Sequence, residues 1–211
     1  MKADYVAKTL DAYEASVDKY QSSTSGLVNE LELNNLVEQL PDHQHPLLDA
    51  GCAFGRDSSW LTNKGYQVVG IDLSGGLLAR ARQLHPELSF EKMDVRHLTF
   101  PDDRFSGIWC NAVLLHLKDD DVVAALKEFY RVLISGGVVA VSFKEGVGSE
   151  DKMETFSSNK FRFYNYQTAE TAEALLRQAG FEVITSYILN ERERFGPDKR
   201  DLNWIWCFGK K

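Results

Sequence analysis

From Leu47 onward, short apolar runs alternate with amphipathic stretches, and this alternation restricts the fold more than any other feature of the chain. Runs of strand length occur at residues 47–50, 67–72, 89–94, 107–113 and 138–143. Helical spacing fills three of the gaps, at 57–64, 77–84 and 120–133, with Ser135-Gly136-Gly137 as the stop after the last. Strands joined through helices return to the same end of a sheet, so they run parallel. A helix over 168–179, capped by Gly180, and two more strands at 181–189 and 204–208 complete an α/β pattern of seven strands.

The first 45 residues contain no strand-like run. Residues 5–19 and 27–40 read as helices separated by Ser22-Ser23-Thr24-Ser25-Gly26. Pro41 and a polar stretch end the second, where His43 and His45 are read as exposed loop histidines rather than metal ligands. With no internal repeat and no linker, residues 1–211 form one expected domain, a helical segment over 1–45 preceding a core over 46–211.

Composition narrows the function classes. The formal net charge of −7, with no basic block, argues against a nucleic-acid partner. Cys52, Cys110 and Cys207 follow neither a redox nor a zinc pattern and read as reduced apolar fillers. Neither a signal-peptide core over residues 1–10 nor an apolar run of roughly 18 residues is present, so a cytoplasmic location and no membrane partner are expected.

The most informative stretch is Leu47-Leu48-Asp49-Ala50-Gly51-Cys52-Ala53-Phe54-Gly55-Arg56-Asp57, an apolar strand entering a glycine turn and then a helix. In open parallel sheets, ligands sit beyond the carboxyl ends of the strands, and glycine lets the backbone approach them closely. Two further strands end in acids, Asp72 and Asp94, each about twenty residues after the last. A carboxylate at Asp72 suits paired ribose hydroxyls, and one at Asp94 suits an exocyclic adenine amine. Each acid alone reads equally well as a turn or cap residue; three at this spacing do not.

These residues resemble motif I of the class I S-adenosylmethionine-dependent methyltransferases, with Ala53 where the middle glycine usually stands. Alanine is tolerable there if φ is negative. The resemblance extends through Ile71-Asp72-Leu73-Ser74, Met93-Asp94-Val95, the run from Phe105 to Leu117, and Arg131-Val132-Leu133 with Gly136-Gly137. It implies a Rossmann-like three-layer sandwich whose mostly parallel seven-stranded sheet has its last strand antiparallel. It also implies S-adenosylmethionine as cofactor and residues 1–45 as a lid. Asp49 would lie near the methionine ammonium, with Gly51, Cys52, Ala53 and Gly55 around the methionine portion and Arg56 near its carboxylate. Asp72 with Leu73 would hold the ribose and Asp94 with Val95 the adenine, while Asn111 and Ala112 offer backbone carbonyls to the ammonium or sulfonium side.

The nearest rival is a dinucleotide-dependent oxidoreductase, which sets a pyrophosphate on a helix N-terminus. Asp57 at the helix start would oppose that anion, whereas a sulfonium suits acidic strand ends. Methyl transfer chiefly needs alignment and exclusion of water, with a base only where the acceptor must lose a proton. His116, after the fourth strand, is the candidate base, with solvent exposure as its alternative. Tyr5, Tyr13 and Tyr20 in the lid, Lys144-Glu145-Gly146, and Arg162 and Tyr164 in an aromatic run are candidates to shape a small-molecule acceptor pocket. An aromatic hairpin arm with an exposed arginine is the alternative for Arg162. Two other functions remain open. Arg162-Phe163-Tyr164 and Asn203-Trp204-Ile205-Trp206 resemble methyltransferases acting on a tRNA wobble-uridine carboxymethyl group, and the chain also fits a non-catalytic S-adenosylmethionine-binding regulator.

Overall fold

The computed structural model describes residues 5–153 and 159–211; residues 1–4 of the expected lid lie outside them. Seven strands form the main sheet: β1 (Leu47–Ala50), β2 (Val68–Asp72), β3 (Ser89–Lys92), β4 (Phe105–Cys110), β5 (Leu133–Lys144), β8 (Glu182–Asn190) and β9 (Asn203–Lys210). Their order is β3-β2-β1-β4-β5-β9-β8, and a separate hairpin pairs β6 (Ser149–Met153) with β7 (Phe161–Asn165). All neighbours from β3 to β5 are parallel, and β9 runs antiparallel to both β5 and β8. This is the Rossmann-like sheet expected, with its final strand reversed.

Alternation along the strands divides the core into two layers. Leu47, Val68 and Trp109 face Leu33 and Leu36 of α3 (Glu30–Glu38) and Leu61 of α4 (Arg56–Asn63). Leu48, Val69 and Ile108 face Val122, Leu126 and Phe129 of α6 (Asp119–Val132) and Leu176 of α7 (Ala169–Gln178). Packing on both sides explains why β4 is buried at every position rather than at alternate ones. The strand order reverses at β1, between β2 and β4, which opens a crevice at their carboxyl ends.

Two N-terminal helices, α1 (Tyr5–Glu14) and α2 (Val17–Thr24), are anchored to the elements around that crevice. The Glu14 carboxylate accepts from the Gly76 amide at the start of α5 (Gly75–Leu84), where the helix dipole favours an anion. Arg80 of α5 donates to Asp18 and Gln21, and Arg56 donates to the Thr24 carbonyl at 2.8 Å. Phe163 N–H of β7 donates to Thr9 Oγ1, tying α1 to the hairpin.

Several boundaries differ from the expected ones. The helix predicted over 5–19 is two helices, and the serine-rich break at 22–26 is helical through Thr24. There the hydroxyls of Ser22, Ser23 and Thr24 donate back to carbonyls of the preceding turn, so they do not interrupt the helix. The segment predicted over 27–40 is helical only over Glu30–Glu38. Strand β4 starts at Phe105 and stops at Cys110, and β5 already begins at Leu133, running through the predicted glycine stop. Strand β6 is an element the sequence reading lacks, because its five residues are all exposed and carry no apolar alternation.

The segment leaving α3 lies so close to β4 that a Cβ on Gly107 would stand 2.5 Å from Leu40 Cδ2, with Leu47 Cδ2 of β1 at 3.0 Å and Leu36 Cδ1 of α3 at 3.6 Å. Gly107→Ala should therefore overpack this layer and cost about 1–3 kcal/mol in denaturant unfolding, whereas a loosely seated N-terminal segment would absorb the methyl group with less than about 0.5 kcal/mol.

Candidate active site

Two adjoining hollows open at the carboxyl ends of the strands, of about 770 and 920 Å³. Tyr13, Tyr20, Gly51, Ala53, Asn111, Ala112 and His116 line both, so they form one continuous site. The smaller hollow takes in Asp72, Leu73, Met93, Asp94, Val95 and Leu117, an apolar slot with a carboxylate from each of two strand ends. The larger takes in Asp49, Cys52, Arg56, Lys144, Arg162 and Tyr164. Of the sequence-predicted site residues, all but Gly55, Tyr5, Glu145 and Gly146 line one or other of these hollows.

The turn after β1 departs from expectation at Ala53, whose φ is +50° rather than negative. Left-handed backbone costs an alanine roughly 1–2 kcal/mol. It is held there because Ala53 N–H donates to Asp72 Oδ2 at 2.9 Å, while Ser74 N–H donates to Asp72 Oδ1 at 2.8 Å. Gly51 is needed for packing as much as for a ligand: its Cβ would lie 2.1 Å from Val113 Cγ2. Cys52 turns its sulfur toward Gly70, and burial pushes the thiol's pKa well up, which agrees with an inert filler. Among the described residues, all three cysteines are buried and unbridged.

The three strand-end carboxylates occupy different environments. Asp49 is 2% exposed and accepts from Ser58 Oγ at 2.5 Å. Burial, reinforced by the nearby Asp57 charge, pushes its carboxyl up to about 7. Burial also raises Asp72, against the opposing donation from the Ser74, Ala53 and Leu73 amides. Burial acts on Asp94 in the same sense, but Arg96 outweighs it and the carboxyl is lowered. Arg96 donates through Nη2 to Asp94 Oδ2 at 2.6 Å, a partner two residues away that the sequence reading overlooked.

Asp57 does not present the bare negative charge expected at the start of α4. Arg56 donates to both its oxygens, at 2.6 and 2.8 Å, and Trp109 Nε1 donates at 2.9 Å. Burial would raise the Asp57 carboxyl, yet these donors hold it low. Arg56 spends its hydrogen bonds on Asp57 and the Thr24 carbonyl, so it enters the site wall already engaged. At the end of β4, Ala112 also has a left-handed φ of +59°. Its amide donates to Ser142 Oγ, which itself donates to Asn111 Oδ1 at 2.9 Å, fixing the backbone kink.

Where the two hollows meet, His116 does not face open solvent. Its Nδ1 lies 2.7 Å from the Phe163 carbonyl, which can only accept, so Nδ1 carries a proton. In neutral histidine, Nε2 is then the acceptor for Tyr13 O–H at 2.9 Å. Arg162 Nη1 donates to the same Tyr13 oxygen at 3.0 Å. Arg162 is 3% exposed, which corrects the exposed-arm alternative. Tyr20 packs edge-on against Tyr13 and Phe54, and burial raises its hydroxyl pKa. Tyr5 lies further out, donating to Asp121 and packing on Phe163. His45 pairs with Asp42, and His43 stacks on Tyr66.

Comparison with known proteins agrees with this geometry. Residues 48–141 match the family model described as Methyltransferase domain. Methyltransferase GfsG of Streptomyces halstedii is 31% identical over 163 residues, covering 71% of this chain and 57% of that protein. The chain spans little more than half the length of the curated relatives it matches, or less. Among solved structures, an S-adenosylmethionine-dependent methyltransferase of Methanosarcina mazei superimposes with a TM-score of 0.72 at 19% identity, covering 83% of this chain and 96% of that one. The 1,6-didemethyltoxoflavin-N1-methyltransferase of Burkholderia thailandensis, solved with 1,6-didemethyltoxoflavin and S-adenosylhomocysteine, gives 0.69 at 23% identity, covering 98% and 88%. The Rossmann-like core of this chain is a class I S-adenosylmethionine-dependent methyltransferase domain. Among the described residues no helix is long and apolar enough to cross a membrane.

The Asp49 environment makes a signed prediction. A carboxyl that holds its proton more tightly in the fold than in the unfolded chain, where its pKa is about 3.9, stabilises the fold fully below that value. The contribution is lost as pH rises to about 7, the folded value. Asp49→Asn cannot ionise, so its stability relative to wild type should improve between pH 5 and pH 8 by on the order of 2 kcal/mol. Parallel denaturation curves for the two proteins across that range would refute the assignment.

Proposed function

We propose that the protein transfers the methyl group of S-adenosylmethionine to a small-molecule acceptor, with the cofactor in the Asp72–Asp94 hollow and the acceptor in the Arg162–Tyr164 hollow. The continuity of the two hollows through Tyr13, Gly51, Asn111 and His116 carries this reading, because donor and acceptor must meet in line. The residues fit the cofactor: carboxylates flank the smaller hollow, Leu73, Met93 and Val95 give it apolar walls for a purine, and both are suited to a ligand bearing a sulfonium rather than phosphates. When bound, S-adenosylmethionine supplies an electrophilic methyl group on that sulfonium.

The chain's own residues then have separate tasks. Asp72 accepts from ribose hydroxyls with the lone pairs its backbone partners leave, and Asp94 stands by for the adenine amine. Asp49 lies beneath the turn toward the ammonium side, and the α1–α2 lid excludes water. For an acceptor that must lose a proton, Tyr13 receives it at Oη while its phenolic proton passes to His116 Nε2. Arg162, donating to Tyr13 Oη, stabilises negative charge there, and the Phe163 carbonyl keeps Nδ1 protonated. His116 is thus the terminal proton acceptor, with Tyr13 between it and the acceptor. The burial of Arg162 in the site wall favours a small molecule over a tRNA, which would need basic side chains on the surface.

A screen of candidate acceptors with methyl-labelled S-adenosylmethionine tests the reading through label incorporation and S-adenosylhomocysteine release. With an identified hydroxyl or carbon-acid acceptor, Tyr13→Phe and His116→Asn should each lower kcat by about 10²–10⁴ at nearly unchanged cofactor affinity, and the double variant should lose no more than the worse single one. Multiplicative losses would show that the two residues do not act as one relay.

A further inference from the structure

The two edges of the main sheet meet solvent differently. At one, β3 spans only four residues, carries Glu91 and Lys92, and follows Pro86, so it offers another chain little to pair with. At the other, β8 runs for nine residues and, among the described residues, pairs only with β9. A bulge between Val183 and Thr185 bends its start, leaving 185–190 regular. From Val183 to Asn190 it has neither a proline nor a charged side chain, the usual guards of an open edge, and Ile184 and Ile188 are 42% and 48% exposed. Leu31 of α3 is exposed as well, one turn before Asn35, whose amide donates to the Tyr187 hydroxyl, so it extends the apolar surface beside this edge.

The direction of the backbone groups follows from the register. Glu191 N–H donates to the Leu202 carbonyl at 2.8 Å, one step beyond the Asn190–Asn203 pair of β8 and β9. Opposed residues of an antiparallel pair alternate between bonded and non-bonded, so Tyr187 and Leu189 bond to β9 while Ser186, Ile188 and Asn190 turn their amides and carbonyls outward. These three are symmetric about Ile188. A second β8, laid antiparallel across a two-fold axis there, sets Ile188 against its own copy and Ser186 against Asn190 of the partner subunit, and every outward group of the regular segment is satisfied. Tyr187 and Leu189, both partly buried against the α3 layer, then meet across the axis as a close non-hydrogen-bonded pair. The two Ile188 side chains cover each other on the opposite face, where Ser186 Oγ donates to Glu173 of α7.

We infer that the protein forms a two-fold dimer in which the β8 strands of two copies pair antiparallel about Ile188 and join their sheets into one. A net charge of −7 makes two copies repel, and a stretch free of charged side chains is where they approach at least cost. Because the strand complements itself, the contact closes on two copies and leaves no β8 edge open, whereas a head-to-tail contact would grow. The interface stops at α8 (Glu191–Phe195), which Asn190 caps by accepting from the Arg192 and Glu193 amides. Glu191 and Phe195 line the larger hollow, while Ser186, Ile188 and Asn190 line neither, so the dimer contact abuts the site wall from outside.

Sedimentation velocity on the full chain tests this, with Ile188→Lys and Val147→Lys as variants. The wild type should sediment as a dimer at tens of micromolar, and Ile188→Lys should weaken association by about tenfold or more with unchanged far-UV circular dichroism. Val147, 88% exposed but outside β8, should tolerate lysine with no change in association. Crosslinking reads the geometry without the lysine variant and decides should that variant unfold. The chain's three cysteines are buried, so Ile188→Cys supplies an accessible thiol. A short bis-maleimide should link two Ile188→Cys chains into a covalent dimer and leave Val147→Cys as single chains on a denaturing gel. The inference is overturned if the wild type stays monomeric, which would leave the edge to a strand of another protein, or if association continues past two copies. It is overturned equally if folded Ile188→Lys associates as tightly as wild type, or if Ile188→Cys crosslinks no more than Val147→Cys.

Discussion

The Asp72 carboxylate holds two loops at once, and the site depends on that double grip. One oxygen accepts the Ala53 amide from the turn after β1, and the other accepts the Ser74 amide at the entry to α5. The first bond acts with the Gly55 N–H to Cys52 carbonyl bond, at 2.8 Å, to hold an alanine at a φ of +50°. Without the second, Ser74 would lose the local fold that lets its hydroxyl accept from Leu77 N–H and cap α5. Burial of the carboxylate strengthens both bonds and raises the cost of leaving either unmade. A backbone pinned in this way is preorganised, so a ligand reaching the crevice need not order it.

The proposed acceptor side is assembled differently, from elements far apart in the chain. Tyr13 comes from α1, His116 from the short 3₁₀ turn after β4, and Arg162 with the Phe163 carbonyl from β7. Thr9 Oγ1 receives the Phe163 amide, so α1 and β7 are locked in register beside the relay. Because three elements converge on one phenolic oxygen, displacement of the N-terminal helices would break the proton path and open the hollow together. On the proposed relay, closure of the N-terminal helices and competence for proton transfer would be one event.

The sheet was legible in the sequence because a parallel strand buried on both faces is a short continuous apolar run, and helical spacing between such runs leaves little choice of topology. The acidic strand ends were legible for the same reason, since each falls where a run stops. What the sequence hides are partners and signs. Nothing in Asp49-Ala50-Gly51-Cys52-Ala53 says that Ala53 is left-handed, because the cause is a carboxylate nineteen residues away. Arg56 and Asp57 read as one cofactor ligand and one repelling charge, yet they bind each other under Trp109. Lys144 beside Trp204 was invisible because it follows from the antiparallel register of β5 and β9, which no spacing rule supplies. The helical content of 22–24 was missed for a local reason: serine and threonine favour turns only when their hydroxyls do not bond back along the helix.

The central claim is that the crevice at the carboxyl ends of β2, β1 and β4 is a cofactor site organised by Asp72. Calorimetric titration of S-adenosylhomocysteine into the wild type and into Asp72→Asn tests it most directly. The account predicts one site per chain with a micromolar Kd, roughly −7 to −8 kcal/mol, weakened by about 2–4 kcal/mol in the folded variant because a charged acceptor of two hydroxyls is lost. Equal affinity in both proteins, or binding of NAD in preference to S-adenosylhomocysteine, would contradict it.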